Sequence, residues 1–147
     1  NRHVATVWRM QTIRIHHVGY VVADLDAAIA NYGERFGMCV LVREVLAEQG
    51  VEAVALDAGE HTGVELIQPI DPEGAVARFL ERRGPGLHHV AYEVSDLAAA
   101  LAELEAGGAR LIDRAPRTGL GGHLIAFVHP ESTGGVLTEL VEGGDHR

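Results

Sequence analysis

The chain has almost nothing with which to cross-link itself or to grip a polyanion. One cysteine, Cys39, stands among 147 residues, so an internal disulfide and a thiolate zinc site are both excluded, and a reducing compartment is expected. Basic residues are scarce: 12 Lys and Arg against 21 Asp and Glu leave a net charge of −9, and a surface of that sign repels a phosphate backbone, which excludes nucleic acid as a partner. No apolar run approaches the ~18 residues of a membrane span, and no secretory signal pattern opens the chain, so a cytoplasmic protein without a membrane partner is expected. G-x-S-x-G, H-E-x-x-H and P-loop motifs are missing, which removes the elbow-type hydrolases, the helix-borne zinc proteases and the P-loop NTPases.

What remains is ordinary globular material, 47% hydrophobic and 22% charged, with one unusual number: nine histidines, four of them in two His-His pairs. Those pairs mark an internal repeat. Ile15-His16-His17-Val18-Gly19-Tyr20 through Asp24-Leu25 returns at one constant offset as Leu87-His88-His89-Val90-Ala91-Tyr92 through Asp96-Leu97, and each copy runs on into an Ala-rich amphipathic segment. Gly63-Val64-Glu65-Leu66-Ile67 likewise resembles Leu137-Thr138-Glu139-Leu140-Val141. Period-two alternation, an Asp cap before each helix, and turn signals predict βαβββ in both halves. Strands are expected over 38–47, 51–56 and 64–68 in the first half, and over 110–113, 123–128 and 136–142 in the second.

The expected class is therefore α+β: a single domain over 10–147 built of two paired βαβββ modules, about 10–70 and 86–142. A short helix opening at Asp71-Pro72-Glu73-Gly74 and closing at Arg83 links them. Asn1 to Arg9 have no counterpart in the second copy and are set aside as a leader or expression remnant.

Duplicated modules that pair their sheets bring equivalent positions together, so His17 and His89 should meet Glu65 and Glu139 in one cleft. Two imidazoles and two carboxylates are a donor set for a divalent transition ion or zinc, with positions open for water or substrate. His16 and His88, one residue away on alternating strands, are expected on the opposite faces, in an outward or supporting role. His61, His123, His129, His146 and His3 have no repeat partner. Cys39, among Met38, Val40 and Leu41, reads as a buried small hydrophobe. Gly119 to Gly122 reads as a flexible loop that could cover a ligand, and Arg78, Arg82 and Arg83 as a solvated helix face able to anchor phosphate.

Ile15-His16-His17-Val18-Gly19, Glu48-Gln49-Gly50-Val51, Gly86-Leu87-His88-His89-Val90-Ala91 and the stretch from His129-Pro130 to Glu139-Leu140 resemble the vicinal oxygen chelate superfamily, and within it the methylmalonyl-CoA epimerases. The resemblance runs from Ile15 to Glu142. It implies metal ligands at His17, Glu65, His89 and Glu139, the second being Gln in some members. It also implies a divalent ion, cobalt first, with nickel, zinc or manganese able to use the same donors, and an acyl-CoA-type substrate. The implied reaction inverts the α-carbon of a malonyl thioester through an enolate, with Glu139 as one proton-transfer group. Some members of the family carry a second acid four residues after the Gln of Glu-Gln-Gly-Val, and others lack it; here that position is Ala53. Glu52 is the candidate replacement if a bulge turns it inward. Two further readings stay open. One is a glyoxalase I-type lyase, whose His, Glu, His, Glu ligands are equally met; the other is a non-catalytic binder of small molecules, against which the 5% aromatic content argues. A homodimer is expected, to cover sheet edges and apolar faces.

Overall fold

The structure, a computed structural model, describes residues 10–143. The segment 1–9, with His3, and His146 near the other end lie outside the described residues. The first module contains β1 (Arg14–Val21), α1 (Leu25–Phe36), β2 (Val40–Leu46), β3 (Val51–Asp57) and β4 (Gly63–Pro69). After the linking helix α2 (Ala75–Arg83), the second contains β5 (Gly86–Val94), α3 (Leu97–Ala106), β6 (Arg117–Thr118), β7 (Leu124–Val128) and β8 (Thr138–Glu142). The strands form one mixed sheet in the order β2-β3-β4-β1-β5-β8-β7-β6. β1 runs parallel to β4 and β5 parallel to β8, while β1 and β5 pair antiparallel at the centre and join the two halves.

The helices start where the repeat places an aspartate. Asp24 accepts from the backbone N–H of Ala27 at 3.1 Å and Asp96 from that of Ala99 at 3.0 Å, which satisfies donors that a helix start leaves unpaired. One residue on, the N–H of Leu25 is held by Gln68 Oε1 at 2.7 Å and that of Leu97 by Glu142 Oε1 at 3.0 Å, so the end of β4 and of β8 ties down the helix of its own module. α1 stops at Gly37, whose φ of 70° lets its N–H return to the Gly33 carbonyl. Each helix buries one face on one side of the sheet: Leu25 packs with Val54, Leu56, Val64 and Leu66, and Leu97, Ala100 and Leu101 pack with Val94, Ala126, Val128 and Leu140. α2 lies elsewhere, with Val76, Phe79 and Leu80 packed against Val21, Val51, Ala53 and Ile67. No helix among the described residues is long and apolar enough to cross a membrane.

One expected strand is nearly absent. Over 110–113 the ladder shrinks to a bridge between Leu111 and Val128, and the pairing resumes only at β6. The cause is Asp113, whose carboxylate takes the N–H of Phe127 at 2.8 Å and so replaces the backbone carbonyl that would extend the strand. Cys39 is exposed, contrary to expectation, because Gly37 ends α1 in a left-handed turn and the chain reaches the edge strand β2 with residues 39 and 40 still uncovered.

The repeat-related caps make matched probes. Asp24→Ala and Asp96→Ala should each lower stability to urea by about 1 kcal/mol, the usual worth of an Asp N-cap. A loss near zero in either variant would show that Gln68 or Glu142 alone holds that helix start.

Candidate metal centre

The register of the central strands assembles the site. Gly19 of β1 faces Glu65 of β4 on one side and His89 of β5 on the other. Ala91 of β5 faces His17 of β1 and Glu139 of β8. Two rows thus cross the sheet, Glu65-Gly19-His89 and His17-Ala91-Glu139, each with two donors flanking a small residue. Gly19 is required: a Cβ there would lie 2.2–2.6 Å from atoms of the His89 ring.

The donors converge. His17 Nε2 lies 3.1 Å from His89 Nε2, 3.2 Å from Glu139 Oε1 and 3.5 Å from Glu65 Oε1, while His89 Nε2 lies 3.2 Å from Glu65 Oε1 and 3.0 Å from Glu139 Oε1. All four donor atoms fall within 4.8 Å of one another. Such spacings are the edges of a coordination shell with bonds of about 2.0–2.2 Å, the range for nitrogen and oxygen on a transition ion. The donor set therefore fits a divalent metal. Burial is the largest single influence on each of the four groups and favours its neutral form, yet the imidazole–carboxylate contacts together outweigh it. They raise His17 to about 10 and raise His89, and they hold Glu65 and Glu139 below the usual carboxylate range.

His16 and His88 depart from the expected alternation. Between Ile15 and His17 β1 gains one residue on β5, and between Gly19 and Tyr20 β5 gains one on β1; the extra residues are His16 and His88. Each bulge turns its histidine toward the candidate donor that follows, so His16 Nδ1 lies 2.8 Å from His17 Nδ1 and His88 Nδ1 lies 2.9 Å from His89 Nδ1. Burial, with the neighbouring His89, pushes His88 down to about 4. His123 stacks edge-on to His16 at 5.7 Å, His129 caps the turn at Pro130–Ser132, and the His61 carbonyl accepts from the Arg14 guanidinium.

A cavity of about 320 Å³ opens over the cluster. Glu65, His89 and Glu139 form its floor, and Val51, Ile67, Val76, Ile125, Phe127 and Leu137 are among its apolar walls. The loop at Gly119 to Gly122 reaches across from the second module: Gly121 donates to Glu44 Oε1 of β2 at 2.6 Å, and Leu120 enters the wall. Arg117 also enters it, carried by β6, with its guanidinium over the Phe127 ring at 5.7 Å and Asp113 Oδ1 3.3 Å from Nε. The sequence reading missed Arg117. Its only signal was a basic residue shortly before a glycine loop.

The structure does not bring Glu52 to the cluster. β3 is unbulged against β4, so alternation holds, and Glu52 binds Arg43 at 2.9 Å on the α1 side of the sheet. Ala53 faces the other way, but it is fully buried beneath Val21, Val51, Ile67 and Val76. Arg78, Arg82 and Arg83 lie on α2, with Arg82 and Arg83 in its last turn.

Residues 16–127 match the family model of the Glyoxalase/Bleomycin resistance protein/Dioxygenase superfamily. The ethylmalonyl-CoA/methylmalonyl-CoA epimerase of Cereibacter sphaeroides is 35% identical over 129 residues, covering 86% of this chain and 96% of that protein. The mitochondrial methylmalonyl-CoA epimerase of Homo sapiens is 34% identical over 136 residues, covering 92% and 76%. Among solved structures, methylmalonyl-CoA epimerase from Mycobacterium tuberculosis superposes with a TM-score of 0.88 at 37% identity, over 95% of this chain and 93% of that one. With its repeated βαβββ modules and its sheet-borne His and Glu donors, the chain belongs to the Glyoxalase/Bleomycin resistance protein/Dioxygenase superfamily.

Proposed function

We propose that the chain is a metal-dependent epimerase that inverts the α-carbon of a 2-methylmalonyl-CoA or related malonyl thioester. The observation that carries this reading is the two-histidine, two-glutamate cluster, three of whose members, Glu65, His89 and Glu139, form the floor of a cavity with apolar walls. The relatives named for this reaction point the same way. A divalent ion held by His17, Glu65, His89 and Glu139 would act as a Lewis acid toward the thioester and carboxylate oxygens, with cobalt preferred by resemblance and nickel, zinc or manganese able to replace it.

The chain's own residues do the rest. Glu139 takes the α-proton; the C–H bond breaks, and its electron pair passes into the thioester carbonyl. The α-carbon becomes planar, and a proton returned to its other face completes inversion. The apolar walls restrict the access of water to that carbon. Arg117, the one Lys or Arg among the described residues lining the cavity, pairs with the anionic end of the substrate, and Phe127 beneath it fixes the plane of the guanidinium. The second face has no matching acid, since Ala53 is apolar and Glu52 points away, so a water molecule returns the proton there and the proton held on Glu139 neutralises the hydroxide left behind.

One divalent ion per chain should bind at micromolar concentration, and His17→Ala or His89→Ala should abolish it; unchanged affinity would remove the assignment. His17, raised to about 10, is protonated at neutral pH without metal, so the ion must displace its proton. Affinity should therefore climb with pH toward that value, with at least one proton released per ion. Calorimetric heats that do not vary with the ionisation heat of the buffer would contradict this.

Deuterium wash-in at the α-carbon should differ between the two enantiomers, because one-sided general-base assistance is worth ~10²- to 10⁴-fold. Glu139→Gln should suppress exchange, whereas Glu52→Gln should leave it at the wild-type rate. Equal rates from both enantiomers would show that a second base acts. Turnover of a glutathione hemithioacetal without exchange on any malonyl thioester would move the assignment to a glyoxalase I-type lyase, which uses the same donors. Arg117→Gln should raise KM roughly 10- to 100-fold, the worth of a charged hydrogen bond, with kcat less affected. An unaltered KM would free Arg117 of that role.

A further inference from the structure

Both ligand histidines are preceded in the chain by a histidine, and both predecessors sit at a bulge in the one strand pair that joins the modules. The two bulges are related by the repeat, one on each strand. A bulge is a costly way to place a residue, since it leaves one position of the ladder unpaired. Here each one achieves the same contact, a short Nδ1 to Nδ1 approach of 2.8 Å in the first module and 2.9 Å in the second. The surroundings differ, with His123 stacked against His16 and Phe79 against His88 at 4.9 Å, so the common feature is the contact itself and not the packing around it.

We propose that His16 and His88 are positioning residues of the metal centre: each accepts the Nδ1–H of the ligand that follows it and aims that ligand's Nε2 lone pair at the ion. The chemistry leaves little choice. An imidazole that binds metal through Nε2 is neutral and carries its proton on Nδ1. Two ring nitrogens at hydrogen-bond distance share a single proton, so the predecessor accepts at Nδ1 and carries its own proton on Nε2. A carboxylate in this place would do the same, but it would add negative charge beside two glutamates. A neutral imidazole orients the ligand and leaves the charge of the centre unchanged.

This inference rests on the metal-centre reading, and the experiment separates the two. Cobalt(II) is titrated into metal-stripped full-length protein, following calorimetric heat and the visible absorption of the bound ion, for wild type and for His16→Leu, His88→Leu, His16→Asn and His88→Asn. Each Leu variant should bind cobalt roughly 10- to 100-fold more weakly, the usual loss when an outer partner of a ligand is removed, with an altered visible spectrum. Each Asn variant, which offers an amide oxygen near the place of Nδ1, should recover most of that loss. Leu variants with wild-type affinity and spectrum would overturn the proposal. So would Asn variants as weak as their Leu counterparts, because packing would then be the cause. If His16→Leu does not fold, the half-buried His88 supplies the same test in the other module. A wild-type protein that takes up no cobalt overturns the metal centre itself, and this inference with it.

Discussion

The antiparallel pairing of β1 with β5 is the constraint on which the rest depends. It sets Gly19 opposite His89 and Ala91 opposite His17, and the flanking parallel partners β4 and β8 add Glu65 and Glu139 to the same two rows. A slip of one residue would turn the donors of one strand to the other face of the sheet. The small residues at the centre of each row belong to the same constraint, because four side chains can converge over the middle of a sheet only where the residues between them are short. Gly19 and Ala91 are related by the same offset as His17 and His89. The duplication thus carries the donors together with the space they need.

Burying four ionisable groups is expensive, and removing one member of such a set exposes the cost, about 3–5 kcal/mol for a buried pair. The cluster offsets this by its charge count. Without metal, the same imidazole–carboxylate contacts raise both histidines and hold both glutamates below the usual carboxylate range, so each pair favours the charged form of the other. With a divalent ion and neutral imidazoles, the two carboxylates would balance the charge of the ion. Loading would displace the proton of His17, so a dry site would gain less net charge than the ion brings when it fills. Glu65, the second acid of the set, is what would close that count.

The repeat makes the fold class and the donor set legible in the sequence, because equivalent residues at one offset report equivalent places in two modules. The helix starts are legible for the same reason: Asp24 and Asp96 stand one residue before Leu25 and Leu97. What alternation hides are the places where the backbone breaks its own period. Bulges at His16 and His88 turn residues expected outside toward the ligands, and they depend on pairing between strands of different modules, which no local window contains. Glu52 shows the opposite case, in which a bulge was needed and the regular register of β3 with β4 supplies none. Asp113 shortens an expected strand through a side-chain hydrogen bond, and Cys39 reads as buried from its apolar neighbours although the chain there is still crossing to an edge strand.

The symmetry that builds the histidine–glutamate cluster stops at the cavity wall. The donors come in equal pairs from the two modules. The walls do not: the first module supplies Val51 and Ile67, and the second supplies Arg117, Leu120 and Phe127 from the region where Asp113 ends the ladder early. Shortening that strand frees the chain to carry Arg117 and the glycine loop across to β2, where Gly121 meets Glu44. A fully symmetric cleft would hold a substrate in two equivalent orientations. Under the proposed reaction, an arginine on one side only would give an anionic substrate a single way to lie, with its α-carbon presented in a fixed sense to Glu139.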